Sequence, residues 1–410
     1  MASSSNNFAD TLNANFKIVY ADKIENLIPD GVKMVNRISF SGREAQLGNL
    51  YSQPLILGLE HGVTFAGSTD DAFALQAPIA GQLKEAQVRG SQMVLRSVLG
   101  YAAAARAAGG GQRAFEDSTK FLVQNMMRSM AKKLEIQLLY GQVGYGVVAS
   151  TSGNQITVSA PEWAPGIWAG AINMPLEIRS SAGALRGYCN VASVDMNNYL
   201  VNVDLLPAGV VATDIIWHKG AYGNEFAGIH KILTNTGLLF NIDASVYDLF
   251  KGNIQPISPT GPLSFAVVQD AIARAVEKGL DSDVAVFVNP RTWADLLTEQ
   301  AALRMYDQSY RVSESENGAQ EITFHGQNGK VEIVPSIYVK SGYAYVLAME
   351  DYMRVGSTDI TFRRPGQGDD FFRELENNAG YELRAYTDQC VFCMAPGRST
   401  LINGIINSGN

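Results

Sequence analysis

Apolar residues between Phe115 and Leu138 return at intervals of four or seven: Phe115, Leu122, Met126, Met130, Leu134 and Leu138. That spacing puts them on one stripe of a helix. The text predicts a helix from about Gln112 to Tyr140, with Gly141 as its stop. At roughly 1.5 Å per residue it would run about 43 Å, longer than a compact small domain is wide. Upstream, the glycines at 109–111 break any helix through the alanine run, since each Gly costs about 1 kcal/mol relative to Ala. Residues 109–141 therefore read as a linker followed by a spine.

The pattern differs on either side. Residues 1–49 hold scattered apolar positions with no sustained period, the mark of an extended arm that gains order by lying on something else. From 50 to 108, short beta-prone runs are broken by Gly, Asp and Pro, and "QLKEAQVRGSQMVLRSV" is half polar. A long solvated hairpin fits this text better than a core sheet, and its open edges call for a partner. Residues 142–224 read as all-beta, a small inserted barrel or sandwich with turns at Ser-Gly-Asn and at 195–198. From 225 to 330 the text turns alpha/beta. Leu263, Val267, Ala271 and Val276 share a helical face stopped by Gly279, "VAVFVN" is a buried strand, and Asn289-Pro290 starts another helix. Residues 331–410 are mainly strands. The whole reads as an α+β chain.

Composition narrows the class. The chain has 410 residues, 46% of them hydrophobic and 18% charged, which is a globular balance. A net charge of -8 argues against a protein that grips nucleic acid through its phosphates. Three cysteines, Cys189, Cys390 and Cys393, make no disulfide framework and fit a reducing compartment. The first residues lack a secretory pattern and no apolar run reaches the roughly 18 residues of a membrane span, so a soluble chain with no membrane partner is expected.

Candidate chemistry is thin. The four histidines, His61, His218, His230 and His325, stand apart in sequence and show no zinc spacing. Cys390 and Cys393 have CxxC spacing within a strand-like run, where residues three apart face opposite ways, so they read as buried thiols. Asp70-Asp71 and Asp369-Asp370 sit in polar, Gly-rich text and read as solvated charge. No nucleophile elbow, phosphate loop or dinucleotide fingerprint occurs. Neither a catalytic residue nor a metal or cofactor is expected. Met126, Met127 and Met130 read as core filling, or as pliable thioethers where one surface meets slightly different neighbours.

The order of parts carries more than any motif. With "HGVTFAGSTDDAFALQAPIAGQLKEAQVRGSQMVLRS", "AFEDSTKFLVQNMMRSMAKKLEIQLLYG", "GIHKILTNTGLLFNID" and "VFVNPRTWADLL", the chain resembles the major capsid protein of tailed double-stranded DNA bacteriophages over nearly its whole length. The resemblance implies an N-terminal arm at 1–49, an extended loop at 50–108 reaching over a neighbour through Phe65, Phe73, Leu75 and Ile79, and a peripheral domain built on the helix at 109–141. It implies an axial domain at 225–330, with segments 331–410 returning to both domains. The beta text at 142–224 departs from the minimal plan. The partners implied are further copies of the chain in pentamers and hexamers, portal and scaffolding proteins, a decoration protein, and enclosed double-stranded DNA held without sequence-specific binding. The place implied is the virion capsid, assembled in the host cytoplasm. Because the arm starts almost at once, a separate scaffolding protein or an already processed chain is expected. An encapsulin-like compartment resembles the same fold. A carboxylate metal hydrolase and a trimeric tail or adhesin protein are the rivals from other classes.

Overall fold

The structure, a computed structural model, describes residues 31–41, 50–69, 73–100, 112–306, 322–327, 329–362, 372–374 and 380–408. Most of the expected arm, with Asp70-Asp71 and Asp369-Asp370, lies outside them.

The periodic stripe forms helix Gln112–Tyr140, over the span its spacing predicts. Leu122, Met126 and Met130 are buried against Leu383 and Ala385, while Leu134 and Leu138 enter the largest core cluster. Phe115 lies in the first turn of the helix, and its side chain is outside the described part. Met127 turns away and is 37% exposed, so two of the three clustered methionines fill core and one faces out.

Strand Gly380–Cys393 organises the sheet beneath that helix. It pairs antiparallel with Ser91–Gly100, Tyr352–Thr361 and Phe372–Glu374, and Phe40–Ser41 adds to Tyr352–Thr361 in parallel. The solvated hairpin expected through residue 100 is therefore shorter. Tyr51–Gly58 pairs with Gln82–Val88, but Ser91–Gly100 leaves to join this five-stranded sheet. The reason is alternation: Met93 and Leu95 face the helix stripe while Gln92, Val94 and Arg96 face solvent, a half-buried strand with period two.

Six strands, Gly146–Ser152, Gln155–Val158, Pro175–Arg179, Leu185–Asp195, Leu200–Val203 and Ile215–His218, close into a barrel. Val148, Ile156, Leu176, Ile178, Val201 and Ile216 fill it. Closure leaves no unpaired edge, which a set of strands this short otherwise exposes.

A six-stranded mixed sheet runs in the order Asn253–Gly261, Thr400–Ile405, Tyr343–Leu347, Val284–Val288, Lys330–Pro335, Ile322–His325. Every residue of Val284–Val288 is buried, as a central strand covered on both faces requires. Helix Phe265–Glu277 packs on this sheet; the Ser264 hydroxyl accepts the Val267 N–H at its start, and Gly279 ends it at φ +92°. Its deepest residues are Val268, Ala271, Ile272 and Ala275, a face turned from the expected one, with Val267 and Val276 at its margin. The Asn289 side-chain Oδ1 accepts the Arg291 N–H at the head of helix Pro290–Tyr306.

Two joints tie these parts together. Gly141 and Gly228 lie back to back, the Gly228 N–H donating to the Gly141 carbonyl at 2.9 Å; a Cβ on Gly228 would sit 2.6 Å from the Gly141 nitrogen. At the second, Lys340 donates to Glu162 at 2.6 Å and to the Gly144 carbonyl at 3.1 Å, and the Tyr343 hydroxyl donates to the other Glu162 oxygen at 2.5 Å.

Candidate assembly surface

The hairpin projects from a fixed base. Ala86 and Val88 are buried, the Gln87 N–H donates to the Phe240 carbonyl at 2.8 Å, and the Tyr247 hydroxyl donates to the Gln82 side chain at 2.8 Å. Phe240 and Asn241 take positive φ to present that support. Beyond Gln82 the contacts become local: the His61 N–H donates to the Ile79 carbonyl and the Gln76 N–H to the Thr64 hydroxyl.

Along this projection the predicted contact residues stand open, with Phe65 89%, Leu75 80%, Phe73 53% and Ile79 52% exposed. Ile56, Leu59, Val63 and Leu83 are exposed as well. Ile56 and Leu83 are cross-strand partners on one face. The sequence carried a signal for Ile56, an aliphatic residue in register with Ser52 and Pro54 on the polar face of an alternating strand. Fully burying a side chain of this kind yields about 1.5–3 kcal/mol. Eight such residues on one arm leave this apolar area exposed.

The predicted helix residues belong to a different class. Leu122, Met126, Met130, Leu134 and Leu138 are all buried within the chain and hold the helix on its sheets.

Polar chemistry gathers elsewhere. Among the described residues no group of three or more His, Cys, Asp or Glu side chains is arranged around a metal-sized centre. Burial holds His218 and His230 down at about 4, so both are neutral at physiological pH. His61 lies exposed on the hairpin. Cys189, Cys390 and Cys393 are free and buried, and burial pushes the Cys390 thiol up to about 12. Among the described residues no helix is long and apolar enough to cross a membrane.

Comparison with known proteins turns this geometry into a fold assignment. No family model matches the chain, and no curated protein matches it. Among solved structures, a chain of the cyanophage A-1(L) capsid asymmetric unit superposes with a TM-score of 0.55 at 11% identity, covering 94% of this chain and 96% of that one. The chain has a phage-capsid fold. A chain from the capsid of the native GTA particle superposes with a TM-score of 0.50 at 9% identity, over 97% of this chain and 99% of that one. Both alignments run over nearly the full length of both partners. At identities this low the likeness carries the fold and not the roles of residues.

Proposed function

We propose that the chain is the major capsid protein of a tailed double-stranded DNA phage, assembling as pentamers and hexamers into the icosahedral head that encloses the genome. The observation that carries this reading is the hairpin: a rigidly based projection whose apolar side chains find no cover among the described residues of the chain. On this reading the hairpin of Tyr51–Gly58 and Gln82–Val88, with the residues between its strands, supplies the loop that reaches a neighbour, the long helix supports the peripheral domain, and residues 225–330 supply much of the axial domain.

Energetics support repeated contacts over a single strong one. Burying Phe65, Phe73, Leu75 and Ile79 contributes at most about 6–12 kcal/mol, against an association cost of about 4–15 kcal/mol. In a closed ring each subunit gives one hairpin and receives one, so freeing a subunit breaks two such contacts. Such head-to-tail contacts generate closed rings. The net charge of -8 suits a container, because walls that repel DNA allow it to be packed and released, whereas a basic lining would hold it by counterion release. Portal and scaffolding proteins are the expected partners, a decoration protein is a further one, and the host cytoplasm is the expected place of assembly.

The test is light scattering coupled to size exclusion, followed by negative-stain microscopy, on the full chain and on a variant lacking residues 60–82. Shells or capsomers from the full chain, and folded but unassembled subunits from the deletion, are expected. Normal shells from the deletion, or a full chain that stays monomeric with scaffolding protein present, would overturn the reading. Shells that take up protein cargo and exclude DNA would return the encapsulin-like alternative.

A further inference from the structure

The long helix carries a second stripe, and this one is polar. Asn125, Arg128, Ser129 and Lys132 stand at i, i+3, i+4 and i+7, so they share a face. That face lines a groove of about 240 Å³ whose other wall is residues 170–175. Each polar side chain in the lining can donate a hydrogen bond, and no carboxylate is among them. On the facing wall Gly170 and Asn173 take φ of +70° and +64°, Ile172 is 65% exposed, and no described residue accepts the Ile172 N–H.

The two lysines of the groove differ. Lys133 sits 3.2 Å from the Met174 sulfur and 3.4 Å from the Tyr145 hydroxyl. Glu225 acts on it from a neighbouring cavity of about 300 Å³, which shares Lys133 and the neutral His218 with the groove but not Lys132. Lys132 donates to the Ala169 carbonyl and forms no ion pair among the described residues. Burial lowers it to about 8, with no carboxylate to raise it again. We propose that the groove is a phosphate site, with Lys132 and Arg128 supplying charge and Ser129, Asn125 and the Ile172 N–H supplying further donors. Phosphate presents acceptor oxygens in several directions at once, the complement of a lining made of donors. An anion that meets an ammonium already partly stripped of water also gains more than it would at a solvated one. The site goes beyond the shell reading and does not depend on it.

Calorimetric titration of inorganic phosphate into the full chain, in a buffer free of other polyvalent anions, tests it. Saturable binding is expected, weakened about tenfold or more by Lys132→Met. Ser129→Ala keeps every charge and is expected to weaken it less. Both variants are expected to melt near the parent. Sulfate does not titrate in this range, so its binding near about pH 8 is expected to take up protons, read as a heat that varies with the ionisation enthalpy of the buffer. A labelled DNA duplex separates the sources of the phosphate group. Duplex binding that free phosphate displaces and Lys132→Met abolishes would make the nucleic-acid backbone the source, whereas binding of phosphate without duplex would make it a free phosphate or phosphate ester. Either result supports the site. Failure of both to bind, binding unchanged in Lys132→Met, sulfate bound without proton uptake, or displacement of phosphate by chloride at equal concentration overturns it.

Discussion

Glu135, buried on the long helix, accepts the backbone N–H of Met34 at 2.9 Å, with those of Lys33 and Val35 at 3.0 and 2.9 Å. Helix Met34–Arg37 has no side-chain cap of its own, so this carboxylate satisfies its first N–H groups from a hundred residues away. Met34 and Ile38 are buried behind that clamp. Glu135→Ala strands three donors and is expected to cost about 3–5 kcal/mol. The expected sign is fast amide exchange at Met34 and Val35 together with proteolysis near residue 38, and Glu135→Gln should lose less. Unchanged protection at those amides would show that apolar packing alone holds the segment.

The Lys340–Glu162 pair closes the joint between the helix terminus, the barrel and the mixed sheet. Lys340 is almost fully buried, and the Tyr140 hydroxyl accepts its backbone N–H at 2.8 Å. Lys340→Met leaves Glu162 with a buried charge and is expected to destabilise the subunit by about 3–5 kcal/mol. The Lys340→Met, Glu162→Gln double variant removes that charge and is expected to recover part of the loss. Thermal denaturation of the four proteins gives the coupling directly.

What the sequence made legible was local. The stripe from Leu122 to Leu138, the Asn289-Pro290 helix start and the buried run Val284–Val288 each depend on neighbours within a few residues, and period and capping rules reach that far. The partner of Ser91–Gly100 lies almost three hundred residues away in Gly380–Cys393, and no local pattern names it. Gly141 reads as a helix stop, yet its closeness to Gly228 is set by the packing of two distant backbones. Phe65 and Leu75 were reached through the family resemblance and not through any local pattern. The bond from Lys132 to the Ala169 carbonyl was not legible either, because the two lie 37 residues apart and meet only in the folded chain.

Lys133 and Glu225 set a pH dependence. Burial pulls Lys133 down from 10.5 to about 7 and pushes Glu225 up from 4.5 to about 7. Between about pH 7 and 10 the unfolded chain holds a proton on Lys133 that the folded chain lacks, so this group makes stability rise with pH. Between about pH 4.5 and 7 the folded chain holds a proton on Glu225 that the unfolded chain lacks, so that contribution is lost as pH rises through 7. Lys133→Met is therefore expected to raise the melting temperature most at or below about pH 7, with the gain vanishing toward about pH 10. A gain that stays constant across that range would assign the effect to packing.

The two sets of apolar residues singled out in the sequence should separate cleanly when mutated. Phe65 and Leu75 have almost no contacts to lose within the chain, so Phe65→Ser and Leu75→Ser are expected to change subunit stability by less than about 0.5 kcal/mol. Their cost should appear only where a neighbour covers them, as reduced assembly. Leu134 is completely buried, and Leu134→Ala is expected to cost about 2–5 kcal/mol of subunit stability. Any assembly defect in that variant should follow its melting temperature and recover on cooling. Denaturant titration of the unassembled subunits paired with shell yield across temperature distinguishes the classes. A Phe65→Ser protein that melts early would mean that the hairpin packs on its own chain, and the case for it as a contact between copies would then be lost.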